Sequence, residues 1–308
     1  MLRYLGHRLM IAIPTLLVIA TLAFVLLHAT PGGPFDSAKK IPPAIQHSIE
    51  AKYHLDEPLW RQYARYLGDL AHGDLGPSFQ YRSTSVNELI AAGLPVDAQV
   101  GVAALLLAIV IGGLAGIVAA LKQNTAWDYL PMFGAALGIS LPSFVVGPLL
   151  ILVFAVTLHW LPSGDWVPGS PSHMLLPVLA LALPYTAYIA RMTRGAAIET
   201  LASPYIRTAR AKGLPQRTVI LRHALRPILT PLVSFLGPAF AGVLTGSIII
   251  EEVFGLPGIG RYFIQGAVNR DYTLVVGVTI LYGVLVIGFN LLADLCYAWI
   301  DPRVRLYS

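Results

Sequence analysis

Apolar residues gather along the chain in six runs, each close to or above the roughly 20 residues a helix needs to cross a bilayer. The runs are Leu9–Ala29, Ala98–Leu121, Pro131–Leu158, Met174–Ala190, Ile228–Ile250 and Leu274–Ile300. Each predicts a transmembrane helix; the third is long enough to tilt or to begin at the interface. Pro177, Pro184, Pro231 and Pro238 fall inside these runs. Prolines are tolerated there because neighbouring helices and local adjustment satisfy the freed carbonyls. Arg3 and Arg8 precede the first run as they would in a signal peptide, but no A-x-A cleavage site follows, so a retained anchor is expected.

Between the first two runs lies the longest polar stretch, 30–97. It opens with turn formers, Pro31-Gly32-Gly33-Pro34. A helical stretch is expected over Pro43–Leu70, where Tyr53, Leu55, Leu59, Tyr63, Tyr66 and Leu67 share one apolar face. A glycine-rich loop, 73–78, separates it from a second short helix over Ser85–Ala92, in which Ser85 and Glu88 have the spacing of a capping box. The stretch is small for an independent domain and is expected to pack on the ends of the spans.

The polar pieces also encode orientation. Lys and Arg gather in 1–8, 122–130, 191–227 and 301–308, while 159–173 has none. Basic residues favour the cytoplasmic side in short loops, and long segments translocate largely regardless of charge. Both termini are therefore placed in the cytoplasm, and 30–97 outside it. The domain plan is 1–29 (cytoplasmic N-terminus and first span), 30–97 (extracytoplasmic segment) and 98–308 (membrane core carrying the cytoplasmic loop 191–227).

Composition agrees with several spans. Of the 308 residues, 56% are hydrophobic and 12% charged, against about 25% charged in a soluble domain, and the mean hydropathy is +0.68. Disorder and an ordinary water-soluble enzyme are excluded. The net charge of +5 is spread over loops, which speaks for orientation and not for nucleic acid. Cys296, the one cysteine, lies in an apolar run and reads as a small core hydrophobe.

Catalytic, cofactor and metal chemistry leave no mark on the sequence. The spans carry almost no ionisable groups, which a proton- or ion-driven carrier would need. Asp294 reads as a satisfied interfacial residue, His28 as an interfacial side chain, and His159 and His173 lack further ligands at metal-site spacing. There is no H-E-x-x-H, no G-x-S-x-G and no Walker A. No catalytic residue, no bound cofactor and no metal are expected.

The loop 191–227 is the informative piece. It holds Arg191, Arg194, Arg207, Arg210, Lys212, Arg217, Arg222 and Arg226 against one acid, Glu199. Ser203-Pro204 reads as an N-cap followed by proline at the first helical position. The helix would end near Lys212, with Gly213 as its C-terminal glycine and Pro215 blocking continuation. Tyr205, Ile206, Ala209 and Leu214 offer it an apolar side. A second short helix is expected over Gln216–Leu225, ending at Arg226-Pro227. Physics alone leaves two readings open: a docking element for a cytoplasmic partner, or a basic amphipathic helix lying on anionic lipid.

The run Tyr205-Ile206-Arg207-Thr208-Ala209-Arg210-Ala211-Lys212-Gly213-Leu214-Pro215, followed by Leu221-Arg222-His223-Ala224-Leu225-Arg226-Pro227, resembles the EAA loop of bacterial ABC importer permeases. The pattern E-A-A-x3-G is met at Ala209 and Gly213. Arg207 and Thr208 stand at its Glu and first Ala, a form common in B-type subunits of the dipeptide, oligopeptide and nickel branch. The likeness runs along the whole chain: Tyr53-His54-Leu55 with Glu57-Pro58, Leu70-Ala71-His72-Gly73-Asp74, Lys122-Gln123-Asn124 with Trp127-Asp128-Tyr129, Phe254-Gly255-Leu256-Pro257-Gly258-Ile259-Gly260, Asn269-Arg270-Asp271-Tyr272 and Asp301-Pro302 resemble the same subunits, the oligopeptide branch most of all.

The resemblance implies an all-α integral membrane protein of the type I ABC importer permease fold, with six transmembrane helices. It implies a bacterial inner-membrane subunit that pairs with a homologous C-type permease, two ATPase subunits and an extracytoplasmic peptide-binding protein, within membrane lipid. ATP and Mg would be used by the ATPases, and the substrate would be a peptide. The residues 205–214 would couple to an ATPase. Glu251, Glu252, Arg261, Arg270 and Asp271, in the outer loop 251–272, would engage the binding protein or the segment 30–97, or else pair locally at the interface. Gly112, Gly113, Gly116, Gly134, Gly138, Gly242 and Gly246 are candidates for close helix contact. Related importers of dipeptides, nickel complexes or other small solutes remain as alternatives. So does a stand-alone carrier, which would need ion-coupling groups or inverted repeats.

Overall fold

A computed structural model describes residues 2–29, 56–81 and 83–300. The helices are α1 (Leu2–Ala29), α2 (Leu59–Ala71), α3 (Val86–Leu121), α4 (Ala126–Ser140), α5 (Ser143–Leu150), α6 (Pro171–Ala202), α7 (Pro204–Ala211), α8 (Leu225–Phe254), α9 (Ile259–Val268) and α10 (Tyr272–Ile300). A π-helical segment, Ile151–Thr157, extends α5. A helical turn, Gln216–Thr218, and a second π-helical segment, Val219–Ala224, lead into α8.

Five of these stretches are long and apolar enough to cross a membrane: Gly6–Leu26, Val86–Leu121, Pro171–Ala202, Gln216–Phe254 and Tyr272–Cys296. The third run is not one straight span. It breaks at Leu141-Pro142, and the two halves, Ala126–Ser140 and Ser143–Thr157, meet at a bend of 108°; counted as one span they bring the total to six. Pro142 has no N–H to continue the helix, and it pushes Leu141 into extended backbone, ψ 119°.

Elsewhere the helices outrun the sequence expectation. Ser85–Ala92 is the first part of α3, which passes Gly93 and Pro95 unbroken to Leu121. Its start is the expected capping box: the Glu88 N–H donates to Ser85 Oγ (3.2 Å) and the Ser85 N–H to Glu88 Oε2 (3.0 Å). The fourth run continues for twelve residues beyond Ala190, so Arg191, Arg194 and Glu199 lie on α6. Arg226-Pro227 does not end the second helix of the basic loop. The wider π turns before it lead directly into α8, and the helix runs through. Of the expected helix Pro43–Leu70, the part from Leu59 is observed as α2; Asp56–Pro58 are not helical, and the part before Asp56 lies outside the described residues.

The chain forms two compact units. The first comprises Met1–Arg8, Asp97–Leu256 and Leu285–Ser308. In it α4 and α6 pack through Ala135, Ala187 and Ala190, and α3, α6 and α8 through Ala108, Ile189 and Leu232. Small residues bring the backbones close. A methyl group at Gly112 would stand 2.6 Å from the Thr186 carbonyl oxygen, and one at Gly116 would stand 2.6 Å from that of Ala190. Gly138 meets Ala187 at 3.2 Å in the same way, and Gly242 meets the Tyr185 hydroxyl at 2.6 Å. Gly113 and Gly134 face open space, and Gly246 is outside the described side chains. Leu106, Val110 and Leu114 on α3, with Leu130 and Phe133 on α4, are exposed, as a lipid-facing surface requires.

The second unit comprises Leu9–Val96 and Pro257–Val284. Here α2 packs Tyr66 and Leu70 against Ala20, Val276 and Ile280 of the spans. The loop after α2 is held by Asp271: its Oδ2 accepts from Ser78 Oγ (2.5 Å) and from the Gln80 N–H (3.0 Å). Its Oδ1 accepts from the Leu274 N–H (3.2 Å), which caps α10.

Candidate functional site

The basic loop condenses into a compact hairpin at the end of α6. Ser203 stands at the N-cap position of α7 with φ −65° and ψ 150°, and Pro204 follows as the first helical residue. The Ser203 side chain does not cap α7, however. Its Oγ donates to the Thr200 carbonyl (2.6 Å) and closes the end of α6. The corner between the two helices is thereby fixed from the α6 side.

The stop at the far end is as the residues imply. Gly213 has φ +76°, the left-handed conformation that glycine adopts most cheaply. Its N–H donates to the Arg210 carbonyl (2.9 Å), and the Leu214 N–H reaches back to that of Ala209 (3.4 Å). The pair of bonds is a Schellman closure, which satisfies carbonyls the helix would leave orphaned.

Only Ile206 and Ala209 of α7 are buried. They enter a core with Ala120, Ala197, Val219, Ala224 and Ile228, drawn from α3, α6, the second π segment and α8. Tyr205 and Leu214, expected on the same apolar side, are instead exposed at 46% and 36%. Arg207, Thr208, Arg210, Ala211 and Lys212 are exposed as well. The geometry is therefore two-sided: two buried anchors, Ile206 and Ala209, fasten α7 to three long helices, and every other side chain faces outward. The outward face mixes cations with isolated apolar groups, and Leu221 is exposed beside it in sequence. Such a face can bind a partner surface.

One element near this hairpin had no signal in the sequence beyond its charge. Asp128, buried at the first turn of α4, receives both arms of the Arg194 guanidinium from α6, at 2.5 and 2.7 Å. It also accepts from the N–H of Asn124 (3.0 Å), a residue at φ +62°. The bidentate fork ties α4 to α6 two turns before α6 hands over to α7.

Glu251 is buried at 2% exposure near the end of α8, and Glu252 beside it is exposed. Arg261 lies on α9, and Arg270 is the turn residue before α10, with φ +57°. Asp271 is fully buried by the bonds to Ser78 and Gln80. It thus bonds to the 30–97 segment. The loop itself is a short helix, α9, preceded by a left-handed Gly255. Asp294 pairs with Arg8 (2.6 Å). His173 Nδ1 lies 2.9 Å from Ser170 Oγ, and His159 Nδ1 lies 3.0 Å from the Ala155 carbonyl.

Comparison with known proteins shows the family. Residues 112–306 match the model of the binding-protein-dependent transport system inner membrane component, and 1–97 match the N-terminal model of the same kind of membrane component. The chain is 54% identical over 305 residues to the oligopeptide transport system permease protein OppB of Salmonella typhimurium, covering 99% of this chain and 100% of that protein. The Escherichia coli OppB matches equally. The dipeptide transport system permease protein DppB of Bacillus subtilis is 44% identical over 308 residues, covering 100% of this chain and 99% of that one. Among solved structures, a chain of the inward-facing MetNI methionine ABC transporter superposes with a TM-score of 0.55 at 17% identity, covering 69% of this chain and 96% of that one. That likeness shows the fold, the type I ABC importer permease. The chain belongs to the family of inner membrane components of binding-protein-dependent transport systems.

Proposed function

We propose that this chain is one of two permease subunits of an ATP-driven peptide importer, and that α7 is its coupling helix. The observation that carries the reading is the two-sided α7: Ile206 and Ala209 are fixed in a core shared with α3, α6 and α8, while Tyr205, Arg207, Arg210 and Lys212 face outward. A helix held this way transmits a push on its outer face to three long helices as one body. A groove on a cytoplasmic ATPase supplies that push when the nucleotide-bound ATPases close. A homologous permease completes the pathway, and a binding protein delivers the substrate on the other side.

Peptide is proposed as substrate because OppB and DppB relatives match along their whole length at 54% and 44% identity. Oligopeptide is favoured over dipeptide by the higher identity. A chain with few ionisable side chains in its spans suits cargo whose side chains vary, since fixed charges would select among them. The basic loop then lies in the cytoplasm, with both termini, and α2 lies outside. ATP and Mg act in the ATPases and not in this chain.

The test is uptake of a labelled oligopeptide by proteoliposomes containing the full complex, with the binding protein outside and ATP within. Uptake that needs both ATP and the binding protein supports the reading. Uptake driven by an ion gradient without ATP would overturn it.

A further inference from the structure

A cavity of about 240 Å³ opens inside the second unit, between α2, the loop 74–79 and the neighbouring ends of α1 and α10. Its volume falls just below the range of sites that enclose drug-sized ligands. It suits a headgroup with the start of a chain, and it is too small for an oligopeptide. Phe24, His28, Tyr66, Phe79 and Tyr272 supply its aromatic walls. Phe24 stacks on His28 at 4.0 Å and on Tyr66 at 5.9 Å, and His28 leans on Tyr272 at 5.5 Å.

Three observations identify what fits. The first is the level of the cavity. His28 lies just past the apolar window Gly6–Leu26, and Tyr272 begins the window Tyr272–Cys296, so the cavity sits where both helices leave the hydrocarbon. Aromatic rings gather at that level. Helix α2 agrees: one side packs on the spans through Tyr66 and Leu70, while Leu59 and Trp60 remain exposed at 57% and 66%, as on a helix lying in the interface.

The second is an orphaned donor. Among the described residues the buried Tyr66 hydroxyl has no hydrogen-bond partner, and Tyr66 lines the cavity. Burial, and to a lesser degree Tyr63 nearby, holds this hydroxyl well above the ordinary tyrosine range, so it keeps its proton to donate. Leaving such a group unpaired costs free energy that an ester or phosphate oxygen of a ligand would recover.

The third is the charge of the rim. Arg65 contributes a cation, held at 2.8 Å by Glu57, and Asp69 and Asp74 contribute carboxylates. Cation and anions side by side match a zwitterion and disfavour a purely anionic headgroup.

We propose that this cavity is a binding site for a zwitterionic membrane phospholipid bearing a primary ammonium. The ammonium meets Asp69 and Asp74, the phosphate faces Arg65, and the Tyr66 hydroxyl donates to an ester or phosphate oxygen. The first part of one acyl chain lies against Phe24 and Tyr272. The proposal requires that α1 and α10 span the membrane and depends neither on the transported substrate nor on which side the site faces.

The test is native mass spectrometry of the intact complex, purified from nanodiscs made of equal parts phosphatidylethanolamine, phosphatidylcholine and phosphatidylglycerol. The wild type is expected to retain phosphatidylethanolamine over phosphatidylglycerol by about threefold or more, on the scale of exposed charge pairing. Asp69→Asn with Asp74→Asn, near-isosteric changes that leave packing alone, is expected to erase that preference. Tyr66→Phe is expected to lower retention about fivefold, the usual range for one hydrogen bond. Retention in proportion to the bulk mixture, a preference for phosphatidylglycerol, or identical retention by all three proteins would overturn the proposal. So would displacement of the lipid by a soluble tripeptide.

Discussion

Arg194 on α6 grips Asp128 on α4 through two parallel hydrogen bonds, Nε to Oδ1 and Nη2 to Oδ2, with the carboxylate 1% exposed and the guanidinium side chain 28% exposed. Close by, a methyl at Gly116 of α3 would meet the Arg194 backbone nitrogen at 2.9 Å. Three helices are thus fastened together just before α6 turns into α7. The fork makes the base under α7 a single body, and a rigid base is needed if a push on α7 is to move the spans.

The chemistry of the fork ranks its variants. Lysine at 194 keeps the charge but cannot make two parallel contacts, whereas alanine leaves Asp128 buried without its cation. The melting temperature of the purified complex is expected to fall in the order wild type, Arg194→Lys, Arg194→Ala. The ATP hydrolysed per peptide transported should rise in the same order. An Arg194→Ala complex that melts and couples like the wild type would show that the fork has no part in either.

Gly213 tests the Schellman stop separately from packing. Among the described residues nothing lies within 4 Å of a methyl group at this position, so a substitution is penalised by φ +76°. That penalty is about 1–2 kcal/mol for an ordinary side chain and less for asparagine. Peptide uptake by the reconstituted complex is expected to decline from wild type through Gly213→Asn and Gly213→Ala to Gly213→Val. The spans should remain folded throughout, as circular dichroism would report. Equal uptake by all four would mean that the turn does not set the pose of α7.

Gly116 and Gly113 are three residues apart and make opposite predictions. A methyl at Gly116 would press on the backbone of α6, with the Ala190 oxygen at 2.6 Å, while one at Gly113 would meet nothing within 4 Å. Overpacking of this kind costs about 1–3 kcal/mol. Gly116→Ala should lower the thermal stability of the complex, and Gly113→Ala should leave it unchanged.

Asp271 caps α10 and holds the loop after α2 in the same stroke. Asp271→Ala is expected to cost about 2 kcal/mol or more, from the lost cap together with donors left unpaired. Hydrogen exchange should read this locally, as faster exchange at the Gln80 and Leu274 amides. Unchanged protection there would contradict the assignment.

Much of the fold was legible in the sequence, because bilayer-length apolar runs and capping residues are local signals. Ser85 and Glu88 announced a capping box, and Gly213 with Pro215 announced a helix stop; both are where the spacing puts them. What the sequence hid was set by tertiary context. Pro95 and Pro227 look like breaks, yet the helices run through them, while Pro142 breaks the third run. Ser203 stands in a capping position but spends its hydroxyl on the preceding helix. Tyr205 and Leu214 share a helical face with Ile206 and Ala209 on paper, but only Ile206 and Ala209 are used inside, and Tyr205 and Leu214 are left outward. The Asp128–Arg194 fork spans 66 residues, and nothing local in the sequence pairs those two charges. The cavity beside Tyr66 is likewise made by four separate segments meeting.

The most direct measurement is photo-crosslinking from the outward face of α7. A photoreactive phenylalanine analogue would be placed at Tyr205, and separately at Ile206, in the complex assembled in its native membrane. Tyr205 is 46% exposed and Ile206 fully buried, so the two positions probe opposite sides of one helix. If α7 is the coupling helix, position 205 captures an ATPase subunit, position 206 yields no such product, and trapping the ATPases in their nucleotide-bound state changes the yield at 205. Capture of lipid alone from position 205, with no ATPase product in any nucleotide state, would contradict it and leave α7 as a basic helix lying on the membrane.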